Sequence, residues 1–235
     1  MFGWIPLILP SGLFCDGPLW KHQDAAVKDV ADCQDIVMTE DNTITGIAAR
    51  ILAQAPAKFA LVGFSMGGDC AFEIMRRALD RVARLAVLDA LDEADAPSRR
   101  SERIAWIAKA RSQGLEALVP DHMAVRFQPE HLTDEVLFSV AAQLARRVGL
   151  AAYKWKMIVI MDRLVSASTL ASISFWALGL CGRKELLAPL HLHELMADAI
   201  GKAELVVVGG SGLLSMSEIS DVVSAALRQW RGIEV

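Results

Sequence analysis

Short, continuously apolar runs recur along the chain, separated by segments of helical periodicity, and this alternation restricts the fold more than any other feature. The runs are "WIPLILP" at 4–10, "CQDIVM" at 33–38, "KFALVGF" at 58–64, "ARLAVLD" at 83–89, "SFWALGLC" at 174–181 and "AELVVVG" at 203–209. A run that is apolar throughout, and not only at every second position, belongs to a strand buried on both faces. Between most of them lie helix-like stretches such as "TITGIAARILAQA" at 43–55, "MGGDCAFEIMRRALDRV" at 66–82 and "LHELMADAIG" at 192–201. Strands alternating with helices predict a mainly parallel sheet of about six strands flanked by helices, an α/β architecture. The 235 residues are enough for one such domain, taken as 1–235.

From about 94 to 168 the rhythm changes to helices alone. "SRRSERIAWIAKARSQG" runs from a serine N-cap to Gly114, a residue suited to a positive φ. "TDEVLFSVAAQLARRVG" starts at Thr133 with two acids in its first turn and ends with two arginines before Gly149. An insert between two strands of a parallel sheet is expected over their carboxyl ends, where ligands of open α/β sheets bind. A small helical lid over 94–168 is the expectation, with plain structural packing as the alternative. Its Trp106, Met123, Trp155, Met157 and Met161 are candidates for an apolar lining, although such residues on helices more often serve as core.

Composition narrows the partners. The net charge of −4 gives no general attraction for nucleic acid or for an anionic membrane surface. The arginine pairs 76/77, 99/100 and 146/147 lie in helical segments with acids nearby and read as solvated helix faces. The uncharged stretch "LVSASTLASISFWALGLCG" at 164–182 is just long enough to span a bilayer. Its serines and glycines, and the strand-like run inside it, favour a short helix followed by a buried strand. Cys15, Cys33, Cys70 and Cys181 show neither CxxC pairing nor zinc spacing, which fits reduced thiols in a cytoplasmic protein. The apolar start "MFGWIPLILPSGLFC" lacks a basic region and a cleavage site, so no signal peptide is expected. No metal, nucleotide or flavin signature is present, so no cofactor is expected, and the sequence leaves the oligomeric state open.

"LVGFSMGGDC" at 61–70 places Ser65 between glycines, after a strand-like run and before a helix. Gly-x-Ser-x-Gly in that context is the nucleophile-elbow pattern: the turn is too tight for side chains at Gly63 and Gly67, and it holds the serine exposed on a strained backbone. The similarity extends further. "LPSGLFCDGPLWKHQ", "FALVGFSMGGDCAFEIMRRALDRVARLAVLD" and "CGRKELLAPLHLHELMADAI" resemble successive landmarks of the α/β-hydrolase superfamily, above all its short bacterial serine hydrolases and esterases. The resemblance covers nearly the whole chain and is weakest in the helical insert. It implies a Ser–acid–His triad in that chain order, acting on an ester, thioester or lactone.

Carried over by position, the resemblance implies Ser65 as nucleophile and the backbone N–H of Met66 as one oxyanion donor. Leu13, in the loop "PSGLFCD" that Ser11 lengthens by one residue, matches the second donor. Glu185 in "CGRKELLAP" matches the acid, with Lys184 as a competing partner for its charge and Asp89 at the end of "LAVLD" as a second candidate. The histidine is expected just after the last strand, but in "VVVGGSGLLSMSE" the residue there is Leu213. Leucine accepts no proton, so the step that activates the serine has no agent at this place. His22, His122, His131, His191 and His193 are the remaining histidines. Of these, the two in the insert, His122 and His131, are the ones that a lid movement could bring to Ser65.

Other departures from the family pattern are Trp176, Ala188 and Asp69, the last an acid that would repel an oxyanion if it pointed at the pocket. Two functions follow. One is a serine acyl hydrolase impaired by the leucine; the other is a degenerate relative that binds a small molecule or a partner with little turnover.

Overall fold

Six parallel strands form one sheet in the order β2-β1-β3-β4-β5-β6. They are β1 (Leu7–Pro10), β2 (Cys33–Ile36), β3 (Phe59–Phe64), β4 (Val82–Leu88), β5 (Ala177–Gly182) and β6 (Ala203–Val208). This computed structural model describes residues 5–13, 15, 17–36, 38 and 43–232. Trp4 and Val37, in two of the predicted strand runs, lie outside the described residues, as do Phe14 and Asp16 of the loop expected to supply an oxyanion donor. Every residue of the central strand β3 is buried, which is why its sequence is apolar without alternation.

The helices are α1 (Lys21–Val27), α2 (Ile44–Gln54), α3 (Met66–Ala78), α4 (Pro97–Gln113), α5 (Val119–Arg126), α6 (Glu135–Met161), α7 (Ala167–Ala171), α8 (Leu190–Ile200), α9 (Ser215–Glu218) and α10 (Ser220–Gly232). α1 packs on α10, whereas α2, α3, α7 and α8 are joined by successive contacts. Two separate helix sets are what a sheet buried on both faces requires. Trp20 and Phe64 meet edge to face at 6.4 Å, and the Trp20 indole N–H donates to Ser11 Oγ at 3.0 Å, so this aromatic pair ties the first loop to the end of β3.

Some helix boundaries fall where the local chemistry predicts, and others depart from it. Gly114 ends α4 at φ 86°, ψ 158°, a region that glycine occupies without the cost of a Cβ. Gly149 interrupts α6 at φ 72°, ψ 162°, so the predicted stop is a break inside a longer helical stretch. Asp134, one residue after Thr133, caps α6 by accepting the N–H groups of Val136 and Leu137. α4 opens on Ala96 with Pro97 at its start and no side-chain cap, in place of the expected serine: proline needs no partner for its nitrogen there. The uncharged stretch at 164–182 folds into α7 and β5, and among the described residues no helix is long and apolar enough to cross a membrane. Arg76 departs from the solvated-face reading, because its guanidinium reaches Ser166 and Thr169 and fastens α3 to α7.

Candidate functional site

The carboxyl ends of β3, β4 and β5 stand side by side, with Phe64 paired to Leu88 and Leu88 to Leu180. The next residues therefore emerge together. Ser65 N–H donates to Leu88 O at 3.0 Å, and Asp89 N–H to Leu180 O at 2.9 Å. Ser65 adopts φ 52°, ψ −120° and Asp89 φ 47°, the only described non-glycine residues with positive φ. Such conformations cost energy that the surrounding structure must hold, and they gather at working sites. The glycines explain how Ser65 is held. A Cβ at Gly63 would lie 2.6 Å from Gly67 O, and one at Gly67 only 2.0 Å from Pro10 O. Met66 begins α3, so its backbone N–H belongs to the first turn, where donors have no intrahelical acceptor.

Two cavities meet at Ser65. The smaller, about 40 Å³, is mainly apolar and includes Leu13, Phe64, Met123, Phe127 and Leu213. The larger, about 180 Å³, is charged, with Asp69, Asp95, Arg103 and Arg163 in its wall. Leu13, Arg126 and Leu213 line both. Lys156 of α6, itself buried, donates to Gly12 O and Cys15 O at 3.4 and 3.3 Å, so a helix of the 94–168 region grips the loop that carries Leu13. Met123 is the one residue of the five predicted lining candidates found in these walls. Trp106 instead packs against His122, with ring centroids 4.4 Å apart and planes tilted by 56°, and Met157 is core.

Two buried acids adjoin this site: Asp89 lines the larger cavity, and Glu185 lies outside both walls. Asp89 accepts the Gly182 N–H at 2.8 Å and the Ser215 hydroxyl at 2.6 Å. Burial, and the nearby Glu185 charge, push its carboxyl well above the usual range. Glu185 Oε1 accepts the backbone N–H groups of Leu187 and Ala188, whereas its buried Oε2 has no partner among the described residues. Burial raises the Glu185 carboxyl to about 7 against the pull of those two hydrogen bonds. Lys184 does not compete for it, since its ammonium pairs with Glu130 at 2.8 Å. The turn carrying Glu185 abuts the loop carrying Leu213: Lys184 N–H donates to Ser211 O at 3.0 Å, and a Cβ at Gly182 would lie 2.0 Å from Gly212 O.

Of the histidines, His122 shares the smaller cavity with Ser65. Its Nε2 meets the Tyr153 hydroxyl at 2.8 Å, and its Nδ1 meets the Arg126 guanidinium. A guanidinium only donates, so Nδ1 accepts and its lone pair is occupied. Burial and the Arg126 charge hold the ring well below its ordinary pKa, hence neutral. His131 is fixed to Glu218 at 2.7 Å, His193 faces a separate cavity beneath α8, and His22 and His191 are exposed.

Solved structures similar along nearly the whole chain supply the comparison. A thermophilic esterase from Thermogutta terrifontis superposes with a TM-score of 0.85 at 22% identity, covering 96% of this chain and 89% of the esterase. The enol-lactonase from Burkholderia xenovorans LB400 gives 0.84 at 21%, covering 97% and 92%. A bromoperoxidase from Bacillus anthracis gives 0.78 at 16%, covering 97% and 92%. The chain has the α/β-hydrolase fold. No protein-family model matches it, and no curated protein matches it by sequence.

Within that fold the structure brings Ser65, Met66, Leu13 and Leu213 to one pair of cavities, while Glu185 lies just behind them. Among the described residues no group of three or more His, Cys, Asp or Glu side chains is placed to hold a metal, and none of the four cysteines forms a disulfide. What the sequence did not single out are Arg103, Arg126 and Arg163. They stand on three separate segments with no shared motif, and only the packing of the α/β-hydrolase insert brings them together.

Proposed function

We propose that this chain is a serine acyl hydrolase in architecture, acting on a small ester, thioester or lactone through Ser65 and slowed by the leucine at position 213. The observation that carries the reading is Ser65 at φ 52°, ψ −120° where two cavities meet. In this reading Ser65 Oγ attacks the carbonyl carbon, the backbone N–H groups of Met66 and Leu13 hold the oxyanion, and the leaving group departs to give an acyl-enzyme that water cleaves. The helices of 94–168 act as the lid. Proton transfer from Ser65 is the weak step: Leu213 cannot perform it, and the accepting nitrogen of His122 already takes a hydrogen bond from Arg126.

The same two facts favour a second reading, a degenerate member that keeps its pocket as a binding site. Turnover of p-nitrophenyl acetate and butyrate by the unchanged chain and by Ser65→Ala separates them. The hydrolase reading expects slow turnover that Ser65→Ala removes; equal background from both proteins leaves the binder.

A further inference from the structure

We propose that Ser65 takes acyl groups from thioesters and aryl esters and keeps them, so that the chain acts as a stoichiometric acyl acceptor more than as a turnover catalyst. The inference rests on the hydrolase reading and follows from what surrounds the serine. Leu213, 4% exposed, lines both cavities that meet at Ser65. In the smaller one its neighbours include Phe64, Met123 and Phe127, apolar walls suited to a short acyl chain. His122 shares that wall, but its Nδ1 accepts from Arg126 and its Nε2 is engaged with the Tyr153 hydroxyl.

The acids in the wall of the larger cavity are Asp69, Asp89, Glu93 and Asp95. Both carboxylate oxygens of Asp89 are engaged, one by the Gly182 N–H and the other by the Ser215 hydroxyl. Asp95 is paired with Arg103 at 2.9 Å and with Arg163 at 3.4 Å, and Glu93 is exposed. Asp69 is buried, and burial raises its carboxyl to about 7 against the pull of Arg163 and Arg103. At pH 6 it is therefore mainly protonated and takes no proton from serine or water. None of these acids stands as a placed base for Ser65.

Proton transfer then decides which half of the reaction runs. When a thioester acylates the serine, the Oγ–C bond forms and the C–S bond breaks with its electron pair on sulfur. The serine proton ends on the departed thiolate. A thiolate, from a thiol of pKa about 8.5, or a phenolate, from a phenol of about 10, leaves without being protonated first. An alkoxide is almost as basic as hydroxide, the anion of water at about 15.7, and needs a proton donor beside it. Deacylation meets the same obstacle, because the water O–C bond forms while the Oγ–C bond breaks and the departing group is the serine alkoxide. Acylation by a thioester thus lacks one assisted proton transfer, whereas deacylation lacks two. A common turnover of about 1–10³ s⁻¹, reduced by about 10⁶ for the missing histidine, leaves roughly 10⁻⁶–10⁻³ s⁻¹. The acyl-serine then lasts from tens of minutes to days.

Mass spectrometry with peptide mapping tests this at about pH 6, after prolonged incubation with p-nitrophenyl acetate, S-methyl thioacetate or ethyl acetate and removal of the excess by gel filtration. The first two reagents are expected to leave one acetyl group on Ser65, and ethyl acetate to label about ten-fold or more slowly. That group should survive filtration for tens of minutes or longer, with a lifetime that Asp69→Asn does not lengthen. Leu213→His should shorten the lifetime about ten-fold or more; if that variant fails to fold, the lifetime in the unchanged chain decides. The inference is overturned if Ser65-dependent turnover of p-nitrophenyl acetate leaves no acetyl group after filtration, a result that spares the hydrolase reading. It is also overturned if ethyl acetate labels as fast as the thioester, if Asp69→Asn prolongs the adduct, or if folded Leu213→His holds it as long as the unchanged chain does. Absence of both the Ser65 adduct and any Ser65-dependent turnover defeats the hydrolase reading together with the inference.

Discussion

Leu213 lines both cavities that open at Ser65, and it is 4% exposed. In the proposed reading, an apolar side chain thus occupies the place that the α/β-hydrolase order of residues reserves for the proton acceptor. Around it the rest of the arrangement persists: the strained serine turn, the adjoining helix start, and a buried acid whose Oε2 lacks a partner among the described residues.

The elbow depends on backbone contacts that leave no room for a methyl group. Because the atom that a Gly67 Cβ would strike is a carbonyl oxygen on β1 at 2.0 Å, nothing flexible can yield. Gly67→Ala is expected to lower stability by about 2–3 kcal/mol, as overpacking does. Urea denaturation measures this, and an unchanged midpoint would show that the turn has slack.

Burial of Glu185 sets a pH dependence of stability. Its carboxyl is raised from 4.5 to about 7, so between those values the folded chain holds a proton that the unfolded chain has released. Stability must then fall as pH rises through that window, by at most roughly 1.4 kcal/mol per pH unit from this group. Asp69 and Asp89 are also raised and act with the same sign. Glu185→Gln is expected to flatten the slope between pH 5 and 7 without abolishing it, which denaturation at the two pH values reads directly.

Glu218 joins the last loop to the insert. Its Oε1 accepts the Gly212 N–H at 2.8 Å, and its Oε2 meets His131 at 2.7 Å and the Gln128 N–H at 3.2 Å. Glu218→Ala strands these partners, a loss worth about 3 kcal/mol for a buried hydrogen-bonded charge. Amide hydrogen exchange should accelerate at 126–132 and 210–214 together; acceleration confined to one of the two segments would mean they are not coupled through this residue.

The sheet was legible because its strands are buried on both faces and so read as unbroken apolar runs. The elbow was legible because a turn this tight tolerates glycine alone at 63 and 67. The charged cavity was not, since Arg103, Arg126 and Arg163 carry no local pattern and each looks like an ordinary helix-surface or loop cation. The sequence marks Asp89 only as a second candidate acid, whereas the structure makes it a clamp between Gly182 and Ser215, a role set by contacts 93 and 126 residues away. Glu218 gave no signal at all, because its three partners come together only when the chain is folded.

The acid assignment has its own test. With a histidine supplied at 213, Glu185→Asp shortens the acid by one methylene toward the residue usual in this fold. The double variant Leu213→His with Glu185→Asp should exceed Leu213→His alone in ester turnover. If Asp89 is the working acid, the second change adds nothing, and Asp89→Asn in the Leu213→His background cancels the gain.

In the proposed reading, Ser65 is a positioned nucleophile without its proton acceptor. The most direct measurement is p-nitrophenyl acetate turnover by Leu213→His beside the unchanged chain, each with and without Ser65→Ala. Loss of a triad histidine costs on the order of 10⁶ in kcat in well-studied serine proteases, so even a poorly oriented imidazole should raise turnover about ten-fold or more. That gain should vanish with Ser65→Ala. Brisk turnover by the unchanged chain that Ser65→Ala abolishes would contradict the account, since another base would then be at work, and so would a folded Leu213→His protein that gains nothing.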